Sequence, residues 1–339
     1  MRYILGGCIV NELYMWIGIT LLVIALIDFI WTTLWIEGGA GPITNNLANV
    51  TWRVTKLISG GNSTILSLAG PLALVMIIIV WVVLFWSGWT FVFASQYGAL
   101  FNTENGLPAD FMDHIYFTGY VFFTLGNGEI VPNGNNWKMM TIIATGTGMF
   151  SITFAVTFLL SVLEAVTQKR AFAQSVSGIG KSGADIVRSA WNGKDLHNLD
   201  LLLNSFSTEL SKLTAQHKAY PILHHYHSIN AQTEGVVAVA ALDEAITVIY
   251  HSVPKRYWPN ALLLKENRSS IDDYLQTLHG THIGSAKEEP PIPDIALLSE
   301  AGIPVNEKQE FESAVKQLSD RRKQLLGLLK DNDSKWPGE

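Results

Sequence analysis

The chain has 339 residues, of which 48% are hydrophobic and only 15% charged, and its formal net charge is −6. Soluble domains carry roughly 25% charged residues, so this composition excludes a disordered chain and argues against a single soluble globule. The acidic balance excludes a basic nucleic-acid footprint, and the one cysteine, Cys8, excludes an intrachain disulfide and a cysteine-based zinc site.

In chain order, the first apolar stretch runs from Leu13 to Ile36 with a single charge, Asp28. Crossing about 30 Å of hydrocarbon takes roughly 20 apolar residues at ~1.5 Å each. That length is met here, and again at Pro71–Ala94 and Met139–Leu163, neither of which carries a charge. The first stretch is too long, and its leading segment too weakly basic, for a cleaved signal peptide, so it is read as a retained helix. A charge inside a span is costly unless it faces the bundle interior, so Asp28 is expected to pair with a polar neighbour. No Arg/Lys ladder runs through any span, so a voltage sensor is not indicated.

Charge orients these spans. Ser95–Trp137 holds Glu104, Asp110, Asp113 and Glu129 and no Lys or Arg. Arg53 and Lys56 lie between the first two spans, and Lys169, Arg170, Lys181, Arg188 and Lys194 follow the third. Basic loops stay inside. The expected topology is a cell-membrane protein with its N-terminus and Ser95–Trp137 outside and its C-terminal half in the cytoplasm; compact loops and few cysteines suit a bacterial inner membrane. The sequons at Asn49 and Asn62 then fall on the inner side, where glycosylation is not expected, and Asn62 reads as a helix cap.

The outer segment turns back into the membrane. Asp110 to Phe123 reads DFMDHIYFTGYVFF, a helix too short to span, with Pro108 and Asp110 suited to its start. It is followed by Thr124-Leu125-Gly126-Asn127-Gly128-Glu129-Ile130-Val131-Pro132. Non-helical backbone at membrane depth is tolerated only where protein buries it or where it lines a water-filled path. A short helix, a glycine-alternating segment and a long helix therefore predict a re-entrant pore loop.

TLGNGEIVP, flanked by these elements, resembles the filter of the tetrameric potassium-channel superfamily, whose signature is T-V-G-Y-G followed by an acidic residue and a proline. The likeness covers roughly Leu107 to Arg170. It implies a homotetramer in which K⁺ is held by backbone carbonyls of Thr124, Leu125, Gly126 and Asn127, with Gly128 closing the filter. Glu129 is then either an outer-mouth carboxylate ring or a brace behind the filter. The inner helix would present Thr145, Thr147, Ser151 and Thr153 as candidate polar faces, and Gly146 and Gly148 as a gating hinge or as close-packing positions. Two departures stand out. Asn127 replaces the filter aromatic that packs on the pore helix, and Phe123 replaces a frequent threonine. The first admits sodium as a conducted ion beside potassium, and a non-selective cation channel is the alternative reading. A membrane-anchored sensor or receptor that does not conduct is a further alternative, as is a membrane-anchored enzyme, although no catalytic constellation is evident.

From Ala171 the composition becomes mixed, with helical stripes at Leu201, Leu202, Phe206, Leu210 and Leu213, and at Phe311, Val315, Leu318, Leu325 and Leu329. The second suits a short coiled coil, interrupted by Arg322. Val236–Tyr250 is apolar but carries Asp243 and Glu244, and is read as a core helix rather than a fourth span. The proline-rich run Glu288–Pro293 reads as a loop. Gly178-Ile179-Gly180-Lys181-Ser182-Gly183 mimics a phosphate loop, yet it follows a helix rather than a strand, and is read as a connector. His224, His225 and His227 are regulatory candidates for proton or metal sensing, or simply packed histidines.

The expected architecture is therefore an all-α membrane protein. It comprises an extra transmembrane helix over 1–36, a cytoplasmic linker over 37–70 and a pore domain over 71–170. Within the pore domain the outer helix covers 71–94, the pore helix 110–123, the filter 124–128 and the inner helix 139–167. A helical cytoplasmic regulatory domain covers 171–339. The expected function is a passive, non-enzymatic potassium channel gated through the inner helix. Its partners would be its own copies, the lipid bilayer and an unidentified cytoplasmic ligand, with no nucleic acid and no organic cofactor.

Overall fold

The computed structural model describes residues 2–5, 8–279 and 284–338. Helices dominate, and among the described residues four helical stretches are long and apolar enough to cross a membrane: Glu12–Leu34, Ser63–Ala94, Asn135–Ser177 and Gly235–Ser252. The first three leave most of their apolar surface uncovered, whereas 83% of the fourth is buried in protein. A helix already covered by protein has no face left for lipid. The chain divides into two compact units, one of residues up to Val50 with Leu72–Ser161, the other of Thr51–Pro71 with the residues from Val162 onward.

In the first unit, strands β1 (Arg2–Leu5) and β2 (Cys8–Asn11) pair antiparallel and lead into α1 (Glu12–Leu34). Helix α2 (Pro42–Ser59) begins in this unit and ends in the second, to which the short α3 (Ser63–Leu66) belongs, so the stretch expected as a linker is largely helical. Asn62 caps α3 by accepting the Thr64 N–H at 2.9 Å. Helix α4 (Ala69–Ala94) packs on α1 where glycines allow backbones to touch. A Cβ on Gly18 would meet the Gly88 carbonyl at 2.8 Å, and one on Gly88 would meet Leu22 at 2.8 Å. The Asn11 N–H donates to the Ser95 carbonyl at 2.6 Å, which puts the start of α1 and the end of α4 side by side.

Asp28 is fully buried and finds the polar neighbours its position demands. One carboxylate oxygen accepts the Ile43 and Thr44 N–H groups at 2.8 and 3.2 Å, capping the start of α2. The other accepts the Thr44 hydroxyl at 2.7 Å and the Trp81 indole N–H at 2.9 Å. Asp28→Ala would strand all of these donors away from water, and a buried donor left alone costs about 1–3 kcal/mol. The expected result is a thermal midpoint in detergent well below wild type, with Asp28→Asn in between because one acceptor oxygen survives. An unchanged midpoint for the alanine variant would contradict this account.

Strands β3 (Leu100–Asn102) and β4 (Ile130–Pro132) form a second antiparallel pair, with Leu100 opposite Pro132. These two short strand pairs, among the described residues, are set into a mostly helical fold. They are too short to show a period-2 pattern, and the second forms because the chain leaving the pore loop returns alongside the segment that entered it. Between them lies α5 (Phe111–Phe122), and α6 (Asn135–Ser177) follows, longer at both ends than the inner helix expected over 139–167.

The second unit is built around α9 (Gly235–Ser252), with α7 (Gly183–Ala190), α8 (Asp200–Ala219), α10 (Ala261–His279), α11 (Ala296–Glu300), α12 (Lys308–Gln317) and α13 (Ser319–Asp331). The two acids of α9 are paired. Asp243 meets Arg268 at 2.6 Å and Arg321 at 2.5 Å, while Glu244 meets Arg322 at 3.6 Å and accepts the Gly183 N–H at 3.2 Å. The expected coiled coil is corrected: its stripe breaks at Leu318 into α12 and α13, and Phe311, Val315, Leu325 and Leu329 all enter the shared core. Arg322 is buried too, over the Trp336 ring at 5.2 Å. In the glycine-rich connector, the Ser182 hydroxyl accepts the Asp185 N–H at 3.2 Å to cap α7. A Cβ on Gly183 would press on Glu244 and Ala245 at 2.6 Å, so that glycine serves helix packing.

Candidate ion-conduction site

The site begins with the rigid seat of α5. Asp110 caps it and shares a reciprocal box with Asp113, at 2.8 and 3.1 Å. Helix α4 holds its flank: the Trp86 indole N–H donates to the Ile115 carbonyl at 3.0 Å, and the Thr90 and Thr118 hydroxyls bond at 2.6 Å. Trp89, Phe93, Phe117, Val121, Ile130 and Trp137 form the apolar base beneath.

At the helix end, the Thr124 N–H donates to the Val121 carbonyl at 3.1 Å and the Leu125 N–H to the Tyr120 carbonyl at 2.7 Å. The chain then alternates hand. Thr124, Gly126 and Gly128 have φ of 59, 60 and 79°, and Leu125 and Asn127 between them do not. Glycine takes that region freely, while threonine there is strained. Residues 123–129 are exposed on the single chain. Among the described residues, no hydrogen-bond donor meets the carbonyls of Thr124, Leu125, Gly126 or Asn127. A run of unpaired carbonyls on alternating backbone can replace the hydration shell of a cation.

Asn127 does not leave a gap. Its amide N–H donates to the Tyr116 hydroxyl, and its side-chain oxygen accepts the Glu129 N–H at 3.3 Å. Tyr120, one helical turn on, donates to the Ile130 carbonyl, and its ring meets Tyr116 edge-on at 5.4 Å. Thr103 holds the Glu129 carbonyl with both its N–H and its hydroxyl, each at 2.8 Å. Sequence reasoning missed Tyr116, Tyr120 and Thr103. The spacing of the two tyrosines, four apart on the short helix, was the available signal.

Along α6 the candidates separate. A Cβ on Gly148 would collide with the Phe122 carbonyl, so this glycine admits the pore helix, while Gly146 has open space. Thr145, Thr147, Ser151 and Thr153 all bond back one turn, at 2.6–2.9 Å. Ser151 is buried, among Phe29, Trp81 and Ala155, which corrects its place among the cavity-lining candidates. Thr153 and Thr157 are exposed.

In the second unit the histidines sit around α6. His224 bonds Asp331 at 2.7 Å, His225 stacks on Trp52 at 5.5 Å, and His227 lies 3.8 Å from Glu234. Among the described residues no group of His, Cys, Asp and Glu is placed to hold a metal ion. Burial lowers His217 and His225 to about 3 and also lowers His227, which puts their titration below neutrality. Each is neutral when folded and binds a proton when unfolded below its ordinary value of 6.5. The unfolded state then holds more protons, so stability falls as pH drops from 6.5 toward 3. Asp331, held low by its His224 hydrogen bond, and Asp243, held low against burial by two arginines, act in the same direction; Glu244, raised by burial, opposes them. The thermal midpoint of the second unit is therefore expected to be lower at about pH 5 than at about pH 7.5, and equal midpoints would refute the sign.

Comparison with known proteins agrees with this geometry. Residues 73–165 match the family described as “Ion channel”, and the chain belongs to the pore-loop ion-channel family. Over 327 residues it is 51% identical to the “Uncharacterized membrane protein YdjJ” of Bacillus subtilis (strain 168), covering 96% of each chain. No solved structure matches.

Proposed function

We propose that four copies of this chain form a passive cation channel that conducts potassium through a filter of Thr124, Leu125, Gly126, Asn127 and Gly128. The observation that carries the reading is the alternating backbone of Thr124, Gly126 and Gly128, with its unpaired carbonyls at the end of a capped pore helix. In this arrangement α1, α4 and α6 cross the membrane and α9 is a core helix. The N-terminus shares the outer side with the acidic pore-loop segment, in keeping with the Asn11–Ser95 bond. The second unit is cytoplasmic and acts on the gate through α6, on a signal from an unidentified ligand. No covalent chemistry takes place.

The Tyr116–Asn127 hydrogen bond supports potassium over the non-selective alternative, because it supplies the lateral tie that a filter aromatic would otherwise make. Purified full-length protein in a planar bilayer, with potassium on one side and sodium on the other, is expected to reverse near the potassium equilibrium potential. Tyr116→Phe removes the tie and is expected to move the reversal potential toward zero. Wild-type reversal near zero with clear unitary openings would replace this reading with the non-selective one.

A further inference from the structure

The second half of α2 and the turn that follows are inside out. Thr51, Trp52, Thr55 and Ser59 face protein, while Val54, Leu57 and Ile58 face outward, with Leu57 85% and Ile58 69% exposed. Ile65 and Leu68 continue the outward apolar run to the start of α4. A helix against water turns its threonines out and its leucines in. The inner face here is firmly occupied: Trp52 lies over His225 at 5.5 Å, and the Lys56 ammonium donates to the Asp331 carbonyl at 3.0 Å. The Thr55 and Ser59 hydroxyls are satisfied within the helix, by Thr51 and Lys56 carbonyls at 2.8 Å. The apolar face therefore cannot be hidden by rolling the helix without breaking these contacts.

We infer that Val54, Leu57, Ile58, Ile65 and Leu68 rest in the interface of a bilayer bearing anionic phospholipid headgroups. Three observations select that occupant. The segment is tied at both ends to membrane-length apolar helices, α1 before and α4 after. Its outward residues are as apolar and as uncovered as those of α4 itself, where Leu72 and Val75 are also exposed. Its outward charge is Arg53, exposed beside this face, and no acidic residue occurs between Glu37 and Glu104. Basic residues beside an exposed apolar face fit negatively charged lipid.

The test uses the full-length protein with Cys8→Ser and a spin label on Leu57→Cys, reconstituted in phosphatidylethanolamine–phosphatidylglycerol vesicles. Ile58→Cys serves as a second site should the first fold poorly, and exposed Thr64→Cys serves as the polar reference. Collision with lipid-soluble oxygen is expected to exceed collision with a water-soluble nickel chelate several-fold at Leu57, and to fall below it at Thr64. Free access of nickel at Leu57 would show a water-facing helix and overturn the inference. Protection from both reagents would show a protein partner or a second copy there, and would overturn it equally. In vesicles of phosphatidylcholine alone, nickel access at Leu57 is expected to rise; no difference between the two lipids would remove the headgroup part. None of these readouts depends on conduction.

Discussion

Replacing Gly126 by valine is expected to reduce ion flux to background while leaving an assembled, membrane-inserted protein. Gly126 holds φ at 60°, with no atom within 4 Å of where a Cβ would stand. The obstacle is therefore conformational. An L-residue in this region costs roughly 1–2 kcal/mol, and a β-branched one is a genuine outlier there. The chain can relieve that cost by rotating the adjoining peptide, which swings a carbonyl away from its neighbours. Each subunit of the proposed tetramer would carry the same fault around one axis. Gly106 provides the control, because its φ is 68° with equally open surroundings, yet it lies in the turn before the pore helix. Liposome potassium flux should survive Gly106→Val and vanish with Gly126→Val. Flux in both would remove the filter assignment; flux in neither would point to a general folding defect.

Lys169→Met is expected to be the most destabilising single change in the second unit. Lys169 is buried in α6, and its ammonium meets Glu234 at 3.2 Å and donates to the Tyr226 and Leu223 carbonyls at 3.0 and 3.5 Å. Its stem lies against Gly235, where a Cβ would stand 3.0 Å from the lysine carbons. Removing the cation leaves Glu234 buried, with the Ser228 N–H at 2.9 Å as its remaining strong partner. Breaking a buried pair by deleting one member costs about 3–5 kcal/mol, because the surviving charge is uncompensated. At about 2–4 °C per kcal/mol, the thermal midpoint should fall by roughly 6–20 °C. The double variant Lys169→Met/Glu234→Gln should melt above Lys169→Met alone, since it removes the stranded charge. Additive losses would mean that the two residues do not act as a pair.

The backbone path of residues 124–128 was legible because its information is local. Alternating glycines after a capped short helix describe a backbone path by themselves, and Thr124, Gly126 and Gly128 take the hand that the spacing requires. The same locality made the phosphate-loop-like glycines at 178–183 recognisable as a connector, since helix α6 and not a strand runs directly into them. What stands behind that loop was not legible. Asn127 read as a loss of packing, yet its partner is Tyr116, and a polar side chain can replace an aromatic contact only if a donor or acceptor faces it. Periodicity says which face of a helix is covered, but not by what.

The amino-acid sequence alone determined the apolar spans, the short helix at 111–122 with its cap at Asp110 and the alternating backbone that follows it, because hydrophobic length and short-range hydrogen bonding depend on neighbours a few residues away. The tertiary structure decided the partners of the buried polar groups. Asp28 is satisfied by Thr44 and by Trp81, 53 residues on, and His224 by Asp331, 107 residues on. It also decided that α2 turns its threonines inward and Leu57 and Ile58 out. A buried charge or hydroxyl must find a complement, and many distant residues could chemically supply it. Only the path of the folded chain brings one of them within hydrogen-bonding distance.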